Sequence, residues 1–274
     1  MEKFSATINI YKNDNPSHFR IALESIIGQT MPADEIVILQ DGPIPAELES
    51  VVCEYMARYE HIRLIALPEN QGHGKARNIA IENCRYPYIA IMDADDIARS
   101  DRFQQQMTFL TSHPDVDIVG GQIAEFIDTP DQRVGIRRVP LTDADIRHYM
   151  KRRCPFNQMS VTMHRDAVLA AGNYKHWHYD EDYYLWLRMM LAGAKFANLP
   201  EILVDVRVGE EMYARRGGWK YFKSEARLMW WMFSHNINGF PLTLYNIAIR
   251  FVLQVCMPNG IRGYIFKKFA RRDE

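Results

Sequence analysis

The sequence predicts an α/β protein built on a mostly parallel sheet flanked by helices. Short apolar segments rich in Ile, Val and Tyr alternate with longer amphipathic segments over residues 1–100, as strands and helices alternate in a parallel sheet. Each apolar segment is followed by a polar loop. Because the carboxyl ends of parallel strands meet at one edge of the sheet, these loops are expected to form a shared ligand-binding edge.

The elements are predicted in a regular order along the chain. Strands are expected at 6–11, 35–39, 62–66 and 88–92, and helices at 16–28, 46–59 and 74–84. The pattern is looser afterwards: a helix at 102–110, one long strand or a strand pair at 118–127, a short helix at 142–150, a strand at 160–164 and a helix at 182–191. Beyond residue 207 the sequence predicts helices, at 219–233, 242–255 and 260–269.

The composition is that of a globular protein with one sizeable core, or one domain plus an appendage. The chain has 274 residues, 47% of them hydrophobic, and a formal net charge of -1. A near-neutral balance argues against a general nucleic-acid-binding protein. The four cysteines show no CxxC pairing, which favours structural thiols in a reducing compartment. Neither a signal peptide nor an apolar stretch of membrane-spanning length is found in the sequence, so a cytoplasmic location is expected.

Three carboxylates packed into four residues are the most informative feature of the chain. Asp93, Asp95 and Asp96 directly follow the apolar segment Tyr88–Met92. Like charges this close repel one another unless a cation lies among them. A divalent ion held by one or two carboxylates and by substrate phosphates would satisfy that need. The alternative is a solvated acidic turn that caps the helix beginning near Ser100.

Several motifs then follow one another in a specific order. They are Thr7-Ile-Asn-Ile-Tyr11-Lys-Asn13, Ser25-Ile-Ile-Gly-Gln-Thr30, Gln40-Asp41-Gly42, Asn70-Gln-Gly-His-Gly-Lys-Ala-Arg-Asn78, Asp93-Ala-Asp95-Asp96 and Tyr179-Asp-Glu181-Asp182. On these motifs, over roughly residues 4 to 225, the chain resembles the family 2 glycosyltransferases of GT-A fold, in particular the bacterial enzymes of exopolysaccharide (amylovoran-type) and O-antigen biosynthesis. The resemblance implies a Rossmann-like sheet with a helical C-terminal appendage.

The resemblance implies a set of residues that bind the nucleotide-sugar donor. They are Tyr11, Asp41, Lys75, Arg77, Asp93 and Asp95. Asp41 would accept a hydrogen bond from the uracil ring, although Asp-Gly is also a common turn. The glycines and cations of 72–78 suit a phosphate at a helix N-terminus. Arg77 is the better candidate for the pyrophosphate because its donors form a planar fork, whereas Lys75 is as well explained as a solvent-facing residue.

The same resemblance implies a metal and a general base. Asp95, with Asp93, would bind Mn²⁺ or Mg²⁺ at the diphosphate, where the ion would offset the charge of the departing UDP. Asp182 is the predicted base for the acceptor hydroxyl and Glu181 the next candidate; the alternative is that these acids only cap a helix. A single displacement would invert the anomeric centre.

The acceptor side is less specific. Trp177 and Tyr179 are predicted to offer aromatic faces to a sugar ring, or else to pack in the core. Residues 157–159 are expected to line the acceptor pocket. Arg207, Arg215 and Arg216 lie in a predicted loop that closes over the diphosphate, meets an acceptor phosphate or is simply solvated. The aromatic and basic C-terminal segment predicts either contact with an anionic membrane or packing against the catalytic domain or a partner subunit.

The sequence thus predicts a GT-A catalytic domain at 1–210, with a nucleotide-binding half at 1–100 and an acceptor-binding half at 101–210, followed by a helical segment at 211–274. The predicted function is metal-dependent, inverting transfer of a hexose from a UDP-sugar to a hydroxyl of a lipid-diphosphate-linked saccharide in surface polysaccharide assembly. The alternatives are a nucleotidyltransferase that uses the same acids, and a non-catalytic scaffold that binds saccharide or membrane.

Overall fold

A single mixed sheet forms the centre of the protein. The computed structural model describes residues 2–209 and 217–257, and in this part nine strands belong to the sheet. They are β1 (Phe4–Ile10), β2 (Glu35–Gln40), β3 (Ile62–Ala66), β4 (Tyr88–Met92), β5 (Ile97–Ala98), β6 (Ile118–Phe126), β7 (Arg133–Arg137), β8 (Thr162–His164) and β9 (Phe196–Arg207).

The strand order explains how the predicted loops come together. The sheet runs β3-β2-β1-β4-β8-β6-β9-β5, with β7 paired to β6. The strands β3, β2, β1 and β4 are mutually parallel, so the loops that follow them lie at one edge. From β8 onwards antiparallel pairs enter the sheet. The predicted mostly parallel architecture therefore holds for the half that carries the acid cluster.

Nine α-helices cover the sheet in the described part. They are α1 (Pro16–Ile27), α2 (Ala46–Arg58), α3 (His73–Asn83), α4 (Arg102–Ser112), α5 (Asp143–Met150), α6 (Arg165–Ala170), α7 (Glu181–Leu191), α8 (Trp219–Ser234) and α9 (Phe240–Phe251). A 3₁₀ turn, Gln158–Ser160, precedes β8. The predicted helix at 260–269 lies outside the described residues.

Helix α1 shows how the local sequence sets these boundaries. The side chain of Asn15 accepts hydrogen bonds from the backbone N–H groups of Ser17, at 2.8 Å, and His18, at 3.2 Å. Pro16 occupies the first turn, where its missing N–H costs nothing. The buried residues Phe19 and Leu23 lie four apart and therefore on one face. The helix thus begins directly after the β1 loop and fixes that loop at the sheet edge.

The structure also contains strands that the sequence pattern missed. β9 is 12 residues long and pairs in parallel with β6. Pro200 interrupts its apolar pattern, and a proline inside a strand normally argues against one. The register with β6 shifts between Gly120 and Ile123, and that irregularity accommodates the proline. β6 is one long strand, as one of the two alternatives predicted.

The last two described helices pack on the part of the chain that carries the predicted base. Ser224 of α8 donates from Oγ to the carbonyl of His178 at 2.6 Å. Asn246 of α9 donates to the carbonyl of Lys151 at 3.0 Å. Within residues 2–209 and 217–257, no helix combines the length and apolar character needed to cross a bilayer.

Candidate active site

The carboxyl edge of β4 presents the three predicted acids in three different environments. Asp93 accepts a hydrogen bond on Oδ1 from Nη2 of Arg77 at 2.5 Å. Asp96 is buried and its Oδ1 accepts from the backbone N–H of Arg207 at 2.9 Å. The carbonyl of Asp95 accepts from Nε of Arg207 at 3.3 Å. Two arginines from distant parts of the chain therefore anchor this loop.

A fourth acid, which the motif analysis did not single out, shares this electrostatic environment. Burial, with the charges of Asp95 and Asp93, raises the pKa of Asp14 to about 7. Burial and the same two charges raise the pKa of Asp96 well above its usual value. Asp14 lies in the loop after β1, and β1 pairs with β4. The signal that could have identified it is therefore its place in the polar loop after the first predicted strand, on the shared sheet edge, rather than any local motif.

The acid loop fits a divalent cation that is shared with a ligand. Carboxylate oxygens are suitable ligands for Mn²⁺ and Mg²⁺. Beside burial, the charges of Asp93 and Asp95 contribute to the raised pKa values of Asp14 and Asp96, and a cation among these acids would relieve that repulsion. Among residues 2–209 and 217–257, however, no group of three or more His, Cys, Asp or Glu side chains is arranged to hold a metal ion. An ion bound here would need donor oxygens from the ligand itself.

Asp41 already has partners within the protein. Its Oδ1 accepts from the N–H of Gln71 at 2.6 Å, and its Oδ2 accepts from the N–H of Gly72 at 3.1 Å and Nδ2 of Asn70 at 3.0 Å. The turn alternative is thus also present, because Gly42 has φ +85° and packs against the backbone of Asn70. The observed role of Asp41 is to hold the loop 70–72 beside β2, and contact with a nucleobase stays a prediction.

The other predicted donor residues divide into two groups. Arg77 is buried and contacts Asp93. Lys75, two residues earlier on α3, is exposed, and its ammonium donates to the Gln71 side chain. Tyr11 is exposed at the end of β1, where its backbone N–H donates to Asp14 at 2.8 Å. The structure therefore brings Arg77 into the acid cluster, whereas Lys75 lies on the solvent-exposed face of α3.

The predicted base lies at the start of α7. Oδ1 of Asp182 accepts from the N–H of Tyr183 at 2.7 Å. Burial raises the pKa of Asp182 even though Arg77 acts to lower it. Burial also raises the pKa of Glu181, whose Oε2 is buried without a hydrogen-bond partner in the described structure. The side chains of Glu181 and Asp182 are thus partly shielded from water, and both act electrostatically on Arg77.

The two aromatic residues predicted to bind the acceptor differ in exposure. Trp177 is only 8% exposed, and its Nε1 donates to the carbonyl of Ser224 at 3.3 Å. Its ring packs against Tyr184, so the expected sugar-stacking face is not available and the core-packing alternative applies. Tyr179 is 54% exposed and has φ 65°. Strained backbone of this kind concentrates at functional sites, so Tyr179 remains the acceptor candidate.

Of the three arginines predicted to lie in a loop, the structure describes only Arg207. Arg207 lies on the acid loop, where Nη1 also donates to the carbonyl of Asp128 at 2.7 Å and the guanidinium covers the ring of Phe126. It is therefore part of the scaffold at the end of β9 rather than a solvated loop residue. Arg215 and Arg216, and the basic residues beyond 257, lie outside the described residues.

Comparison with known proteins gives the class and then the family. The mannosyltransferase PcManGT from Pyrobaculum calidifontis, solved with GDP-Man and Mn²⁺, has the same fold, with a TM-score of 0.64, 14% identity, and coverage of 95% of this chain and 72% of that one. The protein thus has the GT-A glycosyltransferase fold. A family model, Glycosyl transferase family 2, matches residues 8–175, and the chain belongs to that family.

Two relatives match over nearly their whole length. The amylovoran biosynthesis glycosyltransferase AmsE of Erwinia amylovora is 37% identical over 97% of this chain and 98% of its own. The UDP-Gal:alpha-D-GlcNAc-diphosphoundecaprenol beta-1,3-galactosyltransferase of Escherichia coli is 34% identical over 98% of this chain and 97% of its own. The predicted resemblance to the family and to the amylovoran-type enzymes is therefore confirmed, and a nucleotidyltransferase is no longer a competing class.

Proposed function

We propose that this enzyme transfers a hexose from a UDP-sugar to a hydroxyl of a lipid-diphosphate-linked saccharide in polysaccharide assembly, with inversion at the anomeric carbon. The observation that carries the proposal is the position of Arg77, which contacts Asp93 and is under the electrostatic influence of Asp182 and Glu181. One buried guanidinium thus lies between two groups of acids. Asp93 belongs to the group proposed to bind the diphosphate and its cation, and Asp182 and Glu181 are the candidates for the general base.

In this reaction Asp182 accepts the proton of the acceptor hydroxyl, with Glu181 as the second candidate. The hydroxyl oxygen forms a bond to the anomeric carbon while the bond from that carbon to the UDP oxygen breaks. Attack from the face opposite the diphosphate converts an α-linked donor into a β-linked product. The raised pKa of Asp182 brings it closer to that of an efficient base at neutral pH.

On the donor side, Asp95 and Asp93 would hold Mn²⁺ or Mg²⁺. Such an ion would neutralise the charge that develops on the UDP leaving group. The protein's own contribution is to orient the acids: Arg77 fixes Asp93, and Arg207 fixes the backbone of Asp95 and the carboxylate of Asp96. Tyr11 and the Asp41 loop are proposed to contact the nucleoside, since both lie at the same sheet edge.

We also propose that residues 1–210 form the catalytic unit and that 211–274 bring it to the inner face of the membrane. Helix α9 and the residue after it expose six large apolar side chains to solvent. They are Phe240, Leu244, Tyr245, Ile249, Phe251 and Val252. The one charged residue of α9, Arg250, turns inward to Glu225 at 3.0 Å. The exposed triplet Lys151–Arg153 adjoins the helix. An apolar face beside cations suits an anionic bilayer.

The catalytic proposal is tested by transfer of sugar from UDP-galactose to a synthetic lipid carrying GlcNAc on a diphosphate, with and without Mn²⁺. The full chain should form a β-linked product only with the metal, and Asp95→Ala should abolish product and weaken UDP binding in the presence of Mn²⁺. Asp131→Ala, which removes an exposed aspartate, serves as control. Equal transfer by Asp95→Ala would contradict the metal role. No release of UDP from any UDP-hexose would favour the scaffold.

Membrane contact is tested by sedimentation with phosphatidylglycerol vesicles and with phosphatidylcholine vesicles. Leu244→Glu and Arg153→Glu should each lower the bound fraction on anionic vesicles. Ile21→Glu places the same charge on an exposed residue of α1 and should leave binding unchanged. Equal binding of all variants, or equal binding to both lipids, would argue against this surface.

A further inference from the structure

The side chain of Gln158 lies between the donor acids and the predicted base. Gln158 is buried and begins the 3₁₀ turn before β8. The backbone of this turn is firmly held, because Ser160 N–H donates to the carbonyl of Asn157 at 2.9 Å and Asn157 Nδ2 donates to the carbonyl of Gly121 at 2.8 Å. Gln158 therefore projects from a rigid support on β6 rather than from a flexible loop.

The amide of Gln158 joins Arg77 to Asp182. With Oε1 toward Arg77, it accepts from Nη1 at 2.6 Å and from the Tyr174 hydroxyl at 2.7 Å, and its Nε2 donates to Oδ2 of Asp182 at 3.2 Å. The reverse orientation would set the amide oxygen against the carboxylate and the NH₂ group against the guanidinium, so the hydrogen-bond network assigns this one.

A continuous chain of contacts then runs across the site. Asp93 pairs with Nη2 of Arg77, Nη1 of Arg77 donates to Gln158, and Gln158 donates to Asp182. The second oxygen of Asp182 is held by the N–H of Tyr183. Both oxygens of the carboxylate are thereby fixed in direction. The position of the base is tied, through two side chains, to the acid that follows β4.

We infer that Gln158 is a positioning residue: it sets the orientation of Asp182 relative to Arg77 and the donor acids. This inference rests on the proposed function, in which Asp182 removes the acceptor proton. Proton transfer requires the base within hydrogen-bond reach of that proton, and a misplacement of about 1 Å can reduce the rate about 10²-fold.

The chemistry of the amide explains why glutamine suits this position. An amide offers an acceptor and a donor at the end of one side chain. A glutamate of the same size would accept from Arg77 and Tyr174, but its carboxylate would face Asp182 with like charge and no proton to donate. Gln158→Glu therefore keeps the contacts to Arg77 and Tyr174 but replaces the contact to the base by a repulsion, whereas Gln158→Ala removes the whole bridge.

The experiment compares Gln158→Glu and Gln158→Ala with a matched control, Gln122→Glu. Gln122 is likewise a buried glutamine but lies in β6, where its side chain bridges backbone groups at Val139 and Leu199. For both Gln158 variants we expect kcat for transfer to fall about 10²-fold and UDP affinity to change less than about threefold. Hydrolysis of the donor, which uses water, should rise relative to transfer. Gln122→Glu should lower Tm while kcat per folded enzyme is kept.

Two results would overturn the inference. One is a kcat within about threefold of the parent for both Gln158 variants. The other is a parallel fall in donor affinity, hydrolysis and transfer together with Tm, which would indicate a structural role alone. A crystal structure of Gln158→Ala gives a decision independent of activity: Asp182 and Arg77 should leave their present rotamers, and unchanged rotamers refute the bridge. Absence of transfer by the parent enzyme would instead refute the proposed function.

Discussion

Arg77 and Asp93 form an ion pair at the carboxyl edge of the sheet, with Nη2 of the arginine 2.5 Å from Oδ1 of the aspartate. The guanidinium is buried, and the aspartate side chain is about a quarter exposed, at 26%. The pair is therefore partly shielded from water, and Asp93 has a fixed orientation in the acid loop. Arg77 donates to two acceptors, Asp93 and Gln158. A lysine in place of Arg77 has no planar fork of donors with which to reach both.

Arg77→Lys is accordingly expected to lower kcat/KM for the donor by about 10- to 100-fold, because a charge-assisted hydrogen bond contributes about 1.5–3 kcal/mol. Initial-rate kinetics with varied UDP-sugar measure the effect. Arg20→Lys changes a similar arginine fork, which pairs with Glu54 on the surface at 2.7 Å, and should leave the kinetics unaltered. Equal kinetics for Arg77→Lys and the parent would show that the fork has no part in donor use.

The conformation of Gly42 also affects the candidate site. Its φ is +85°, and a Cβ there would lie 2.6 Å from the backbone nitrogen of Asn70. Gly42→Ala should therefore destabilise the fold by about 1–3 kcal/mol and displace the loop held by Asp41. Urea unfolding measures the first effect and UDP titration the second. Gly209→Ala, where no atom lies within 4 Å of the added Cβ, should change neither; similar results for both variants would contradict the strain argument.

Much of the donor half was predictable because each strand and its loop are encoded locally. The predicted strand at 88–92 is β4 as observed, and the acids that follow it lie at the sheet edge. The GT-A fold and the family were likewise predicted from motif order and confirmed. The weaker predictions concern which side chains meet. Asp14 and Asp95 are neighbours only because β1 pairs with β4, and local sequence does not specify that pairing.

The sequence was less informative where one residue type suits two environments. A tryptophan beside the predicted base is equally compatible with a sugar-binding surface and with a core, and Trp177 is in the core because α8 covers it. Contact of Asp41 with a nucleobase stays a prediction, and the sequence did not reveal that its carboxylate also holds the loop 70–72. β9 was missed because Pro200 breaks its pattern. These outcomes depend on contacts between segments far apart in sequence.

The pair Glu225–Arg250 is expected to hold α8 and α9 in place. The two side chains are 3.0 Å apart and largely buried, and Nη2 of Arg250 also donates to the carbonyl of Arg152 at 2.8 Å. Burial and the charge of Glu225 raise the pKa of Asp180, whereas Arg250 acts to lower it. Arg250→Met would leave these acids without their cation, and the loss should be about 3–5 kcal/mol.

A double-mutant cycle measured by urea unfolding checks this prediction. Adding Glu225→Gln to Arg250→Met should recover part of the lost stability, because the unpaired carboxylate is then neutral. Arg20→Met, which removes an arginine from an exposed ion pair, is the matched single variant and should cost little. A loss of less than about 0.5 kcal/mol for Arg250→Met would mean that the helices are held mainly by their apolar contacts.

Finally, the raised pKa of Asp182 makes a prediction about pH. Burial raises this pKa above the unfolded value, so the folded state binds the proton more tightly than the unfolded chain. The stability that this proton contributes is fully present below the unfolded pKa and is lost as pH rises through the folded pKa. Asp182→Asn removes that loss, so the Tm of the variant should improve relative to the parent as pH rises from about 4, near the unfolded pKa, to about 8.

The same group makes a prediction about activity. Transfer by the parent should fall on acidification at a pH above the usual aspartate range, and Asp182→Asn should bind UDP but not transfer. Differential scanning fluorimetry and initial rates across this pH range test both statements. A pH-independent difference in Tm would mean that the pKa of Asp182 is not raised in the folded state. Transfer by Asp182→Asn with the parent's pH profile would move the base to Glu181, for which Glu181→Gln is the corresponding variant.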